Sequence, residues 1–330
     1  MKKRSRLSSF ILWVLLLVTF TSQAADLEKL AISGRLDKSA ARLEATVTEA
    51  AIPGGAPDYE WWYGCSPTAA GMLMGYYDIN GYGGETYRNL VPDAVAEIST
   101  FPSTEGIWDY NVQHIIATPR HVSDFYGGGY LASGDDVFGA PTGPLDSLAD
   151  FMGTSQDAYG NVNGATAFWF FTDGSRLTVA DLYNTGDPGI YGNSGAYGIY
   201  EFLRWAGYGD SNPQAVDYIY NQYVDILGLP YGFSLADYLA EINAGRVVLI
   251  HIENHSMLGY GYDSMTGELL IHDTANPGEQ RMYWGSYYGY SLVAVTVVNL
   301  SGVPGDPGVP GDPKVSYPVI SPIIQFLLSD

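Results

Sequence analysis

One cysteine in 330 residues, Cys65, stands where a helix opens. With no second thiol the chain can form no internal disulfide, so its fold rests on packing alone. From Tyr59 to Asp78 the sequence reads Tyr-Glu-Trp-Trp-Tyr-Gly-Cys-Ser-Pro-Thr-Ala-Ala-Gly-Met-Leu-Met-Gly-Tyr-Tyr-Asp. Ala69, Met72, Leu73 and Tyr76 recur at i, i+3, i+4 and i+7, one face of a helix. Pro67 suits a first helical turn, where its missing N–H loses no bond. The spacing predicts a buried helix that begins at or beside Cys65. Free amides and the positive end of the helix dipole there favour a thiolate, which makes Cys65 a candidate nucleophile. The plain alternative is a small residue packed in the core.

The flanks read differently. Lys2, Lys3, Arg4 and Arg6, the apolar run Phe10 to Phe20 and then Ser22-Gln23-Ala24 have the form of an export signal over residues 1–24. No cysteine stands at the cleavage point, so no lipoprotein anchor is expected. The mature chain is expected in the periplasm, on the cell surface or outside the cell. Residues 25–56 read as an N-terminal arm or a short pro-segment. Leu27, Leu30, Ala31, Leu36 and Leu43 among charged residues predict a short amphipathic helix over 26–51, broken by Ile52-Pro53-Gly54-Gly55-Ala56-Pro57. At the other end, Gly302, Gly305, Gly308 and Gly311 with prolines between them predict a stiff linker over 301–314. The apolar tail 315–330 contains Pro318 and Pro322 and is too short to span a bilayer. A net charge of −21, more negative once the basic leader is lost, argues against nucleic acid and anionic membranes as partners. No stable membrane insertion is expected.

The domain itself is expected over 57–300. Gly81 to Gly195 is turn-rich, with helical patterning only near Leu145 to Met152. Forty glycines and 27 tyrosines fit long, ordered surface loops. Helices are expected at Ala196–Ala206, Pro213–Leu227 and Ser234–Ala244, the last capped by Ser234 and closed by Gly245. From Arg246 the period becomes that of strands, at Val247–Ile252, His255–Asp263, Glu268–Asp273 and Ser291–Leu300, with Ser264–Gly267 as a hairpin turn. Helices first and antiparallel strands last is an α+β layout.

A thiol nucleophile needs a base and a group that orients the base. His114 and His121 have no partner pattern and read as structural or surface residues. His255 opens a glycine-punctuated strand whose hairpin partner ends at Asp273. With the turn centred between Met265 and Thr266, His255 lies opposite Asn276 and Asp273 opposite Leu258; a bulge would bring Asp273 alongside. Asp273 is the first choice of orienter and Asn276 the alternative. His251 and His255 have a zinc-like i, i+4 spacing, but four strand residues span about 13 Å, too far for one ion. Asp157 to Gly164 offers calcium-like oxygens with incomplete spacing, and reads as an ordinary loop. Neither a metal nor another cofactor is expected.

Gly64-Cys65-Ser66-Pro67-Thr68-Ala69-Ala70 opening a helix, then His255 before Gly259-Tyr260-Gly261-Tyr262-Asp263, then Asp273, resembles the papain-like cysteine peptidases. Within them it is most similar to the double-glycine-leader (bacteriocin-processing) peptidases and their exported single-domain relatives. The resemblance covers roughly residues 57 to 300 and is concentrated at the two ends. It implies a papain-like fold, with an N-terminal helical part carrying the cysteine and a C-terminal antiparallel sheet carrying histidine and aspartate. It implies thiol-dependent hydrolysis of a peptide or amide bond in a peptide or protein substrate. Cys65 would be the nucleophile, His255 the base and later the acid, Asp273 the orienter, and the Cys65 N–H one oxyanion donor. The glutamine this family usually carries shortly before the cysteine has no counterpart; Tyr59, Trp61 or Trp62 offers a donor instead. Acyl transfer to an amine would use the same residues. The rival from another class is an idle papain-like domain serving as a surface binding or adhesion module. Gly54-Gly55 is similar to the leader sites this family cuts, and self-processing there would set the mature N-terminus near Ala56 instead of Ala25.

Overall fold

The computed structural model describes residues 27–32, 50–51, 55–88, 90–91, 112–127, 141–301 and 303. The export signal, Gly54, the tail and all of the linker but residues 301 and 303 lie outside them. In chain order the strands are β1 (Leu27–Ile32), β2 (Ala50–Ala51), β3 (Thr166–Phe171), β4 (Leu177–Thr178), β5 (Ile219–Tyr223), β6 (Val248–Ile252), β7 (His255–Asp263), β8 (Glu268–His272), β9 (Gln280–Met282), β10 (Ser286–Tyr287) and β11 (Tyr290–Val298). The α-helices are α1 (Cys65–Asn80), α2 (Val112–Ile116), α3 (Pro119–Phe125), α4 (Leu148–Phe151), α5 (Val179–Asn184), α6 (Pro188–Tyr191), α7 (Gly195–Trp205) and α8 (Leu235–Asn243). One antiparallel sheet runs β4-β5-β11-β6-β7-β8-β9, with β10 added to β11 and β2 to β7, while β1 and β3 pair apart from it. This is a mixed α+β fold.

Val248-Leu249-Ile250-His251-Ile252 is buried at every position because β6 lies between β11 and β7 with both faces covered. Helix α1 packs against β6 and β7 on one side and α2 and α4 on the other. It is buried on all sides from Cys65 to Tyr77, where the sequence pattern suggested one apolar face. Ser234 and Asp237 form a reciprocal capping box at the start of α8, and Gly245 beyond its end adopts φ 78°.

Three expectations need correction. Leu27–Ile32 is not helical: it forms β1, in register from Leu27↔Phe171 to Ile32↔Thr166, because pairing satisfies the exposed ladder edge of β3. Pro213–Leu227 is not a helix either. A 3-10 turn at Pro213–Ala215 leads into β5, and another follows at Asp225–Leu227. All five residues of β5 are buried between β11 and β4, a two-sided environment that overrides helical spacing. Strands are therefore not confined to the C-terminal part. The third concerns tyrosine. Tyr59, Tyr77, Tyr87, Tyr200, Tyr208 and Tyr238 are fully buried, and several brace distant segments. The Tyr77 hydroxyl donates to the Val298 carbonyl, and that of Tyr87 to Leu300 and Val303.

Candidate active site

The approach to Cys65 is held rigidly. Gly64 has φ 144°, and a β-carbon there would lie 2.9 Å from both Pro67 Cγ and Thr154 Cγ2, so only glycine fits. The Trp62 N–H donates to Thr68 Oγ1 (3.0 Å), whose hydroxyl donates to the Gly64 carbonyl (2.7 Å). The Tyr126 hydroxyl pins the Tyr63 carbonyl at 2.6 Å. Gly64 makes no side-chain capping bond, so that bond takes none of the first-turn amides of α1.

A hairpin brings the strand that begins at His255 to this helix end. Glu253 and Asn254 turn the chain, with Asn254 at φ 63°, and Ile252 pairs with His255 and His251 with Ser256. His251 and His255 are thus on two strands, so the argument from length along a single strand does not apply. The β7–β8 ladder begins only at Leu258↔His272. Ser256 lies beyond it, and its N–H donates to Cys65 Sγ at 3.2 Å. Tyr260 forms a bulge that slides the register by one, moving Asp273 a residue closer to His255. Its backbone carbonyl, not its carboxylate, then meets His255 Nε2 at 2.5 Å.

The Asp273 carboxylate is engaged elsewhere. Oδ1 accepts from the Ala275 and Asn276 amides at 3.0 and 2.7 Å, and Oδ2 from Asn276 Nδ2 and the Tyr287 hydroxyl at 2.8 and 2.7 Å. Asn276 therefore supports Asp273 and does not orient the imidazole. A carbonyl oxygen can only accept, so the His255 proton sits on Nε2 and Nδ1 carries a lone pair. Nδ1 is buried without a hydrogen-bond partner.

Burial pushes the Cys65 thiol up to about 11, against the pull of the Ser256 N–H. Burial also pulls His255 down to about 4, opposed by the Asp273 carbonyl bond and carboxylate charge. Both groups rest neutral at neutral pH, so the helix dipole does not deliver the expected thiolate. Cys65 is 0% and His255 1% exposed.

Of the three oxyanion candidates, Tyr59 lies away from Cys65 and the Trp62 indole is committed elsewhere. The Tyr59 hydroxyl lies against Gly75, 2.5 Å from where a β-carbon would be. That is ten residues, about 15 Å, along α1 from Cys65. Trp62 Nε1 donates to the Ala117 carbonyl at 3.1 Å. Trp61 Nε1 is buried without a partner, and its ring and the Gly64 backbone both flank Gly164.

Sequence reading missed a buried polar row behind the thiol. Ser66 Oγ lies 3.9 Å from Cys65 Sγ and 2.8 Å from Ser256 Oγ; Ser256 Oγ lies 2.9 Å from His251 Nδ1. His251 Nε2 lies 2.8 Å from Thr296 Oγ1, which donates to Asn221 Oδ1 at 2.7 Å, and Asn221 Nδ2 donates to the Trp169 carbonyl at 3.1 Å. A signal existed: serine directly follows both Cys65 and His255. Also missed was a buried pair in the loop-rich middle, His121 Nδ1 at 2.8 Å from Asp150 Oδ1. In the calcium-like loop, Asn161 turns inward and donates to the Gly153 carbonyl. Among the described residues no group of three or more His, Cys, Asp or Glu is placed to hold a metal ion, and no helix is long and apolar enough to cross a membrane.

No family model, curated protein or solved structure matches the chain.

Proposed function

We propose that the protein is a papain-like cysteine peptidase in which Cys65 attacks a peptide or amide carbonyl. One observation carries this reading: the strand that donates to Cys65 Sγ through Ser256 also bears His255, whose Nδ1 is deprotonated, buried and unpartnered while the Asp273 carbonyl holds Nε2. As sulfur attacks the carbonyl carbon, Nδ1 takes the thiol proton. The imidazolium then protonates the leaving amine and a thioester to Cys65 remains, which water activated by the same nitrogen hydrolyses. Because thiol and imidazole rest neutral, proton transfer accompanies attack instead of preceding it. The Cys65 N–H at the start of α1 and Trp61 Nε1 are the oxyanion donors in this reading. With the export signal read in residues 1–24, it is an exported enzyme.

A peptidyl chloromethyl ketone panel, read by mass spectrometry, tests it. Modification of Cys65 that is lost in His255→Ala is expected. The burial of both groups favours a second reading, an idle site in a binding module. If no probe labels the folded protein while iodoacetamide alkylates the unfolded chain, the second reading replaces the first.

A further inference from the structure

The Trp169 carbonyl ends the polar row, and a carbonyl cannot donate. The Asn221 atom facing it is therefore the amide nitrogen, which leaves Oδ1 facing Thr296. Thr296 must give its only hydroxyl proton to Asn221 Oδ1, so its oxygen accepts from His251, which carries its proton on Nε2. His251 Nδ1 then accepts the Ser256 hydroxyl proton. With that proton spent, Ser256 Oγ accepts from Ser66, and Ser66 has only lone pairs left for Cys65 Sγ.

We infer that this row fixes the protonation of the nucleophile: Ser66 is held as an acceptor for the Cys65 S–H, and Thr296 sets the direction of every bond between. Donation by Ser66 to a thiolate requires the row to reverse. Ser256 would then donate to Ser66, His251 Nδ1–H to Ser256, and Thr296 to His251 Nε2, stranding Asn221 Oδ1 in the interior without a donor. His251 and Thr296 are positioning residues that act on sulfur through two serines. The row holds whether or not Cys65 turns over a substrate, so it goes beyond the proposed activity. The direction of the row agrees with a neutral, fully buried His251, whose own pKa burial lowers to about 3.

The titratable groups on the elements packed against α1 are His251 on β6, His255, Tyr260, Tyr262 and Asp263 on β7, His114 on α2 and Asp150 on α4. Thr296→Val leaves all of them in place. It removes the hydroxyl that forces the Nε2–H form, so His251 is free to protonate Nδ1 and the row reverses toward sulfur.

Two measurements test this. Imidazole nitrogen chemical shifts of the native protein should show His251 protonated on Nε2; protonation on Nδ1 overturns the inference without any variant. The Cβ chemical shift of isotope-labelled Cys65, the only cysteine, reports the thiol titration. It should move down by about one pH unit or more in Thr296→Val, a tenfold gain in acidity, and this shift should vanish in Ser66→Ala/Thr296→Val. An unchanged or higher thiol titration in folded Thr296→Val overturns the inference. If Thr296→Val does not fold, the tautomer measurement decides.

Discussion

His121 and His255 are both fully buried beside an aspartate, and they differ in which atom of the aspartate they meet. His121 faces the Asp150 carboxylate; His255 faces the Asp273 backbone carbonyl. Burial raises the Asp150 pKa, but the charge and hydrogen bond of His121, with bonds from Asp146 and Ser147, more than offset it and leave that carboxyl below the usual range. At His255 burial wins and the imidazole falls to about 4. A carboxylate partner makes a buried hydrogen-bonded pair that holds structure. A carbonyl partner fixes ring and tautomer while leaving the other nitrogen a neutral base. The first arrangement suits a strut and the second suits proton transfer.

The sharpest way to break this comparison is to remove each ring. His255→Ala should lower kcat/KM for the proposed amide hydrolysis by about 10²- to 10⁴-fold, whereas His121→Ala, assayed where it remains folded, should leave it within a few-fold. The order reverses for stability. Asp150→Ala leaves His121 Nδ1 buried without its partner and should cost about 1–3 kcal/mol by urea unfolding.

Acid should separate the same two sites. The folded-state pKa of His255 is depressed from 6.5 to about 4, so its stabilisation is complete above pH 6.5 and is lost as pH falls through about 4. That is roughly 3 kcal/mol from this residue. Asp146 acts in the opposite sense. Burial and the neighbouring Asp150 raise it from 3.8 to about 6, so its contribution is present below 3.8 and is lost as pH rises through about 6. Denaturant midpoints across pH should rise more steeply between 4 and 6 in Asp146→Asn than in the native chain. The smallest effect belongs to Asp273→Asn. The backbone carbonyl survives it, so kcat/KM should fall far less than the ~10⁴-fold expected where a carboxylate orients the ring. The turn should lose about 1–3 kcal/mol of stability.

What the sequence made legible was periodic or punctuated. The helix at Cys65 announced itself by Ser66-Pro67 and its apolar spacing, and the β7–β8 hairpin by alternation around Ser264–Gly267. What it hid depends on distant partners. Leu27–Ile32 is a strand only because β3 lies beside it. In Ile219–Tyr223 the spacing of Ile219, Tyr220 and Tyr223 mimics a helix, and nothing local shows that Asn221 and Gln222 are buried too. At the candidate site the residue types were readable but the atoms were not. The bulge at Tyr260 and the use of a main-chain carbonyl leave no side-chain trace, so Asp273 was expected to act through the wrong oxygen.

Asn221, Thr296, His251 and Ser256 come one each from β5, β11, β6 and β7, four consecutive strands of the sheet. Apolar alternation forbids a strand to slip by one residue, because every side chain would change face, but it tolerates a slip by two. A slip of two here would put aliphatic side chains opposite hydroxyls and an imidazole, stranding buried polar groups in each neighbour. The row therefore works as a check on strand alignment that greasy contacts alone cannot supply, and the chemistry proposed for Cys65 is tied to the correct assembly of these four strands.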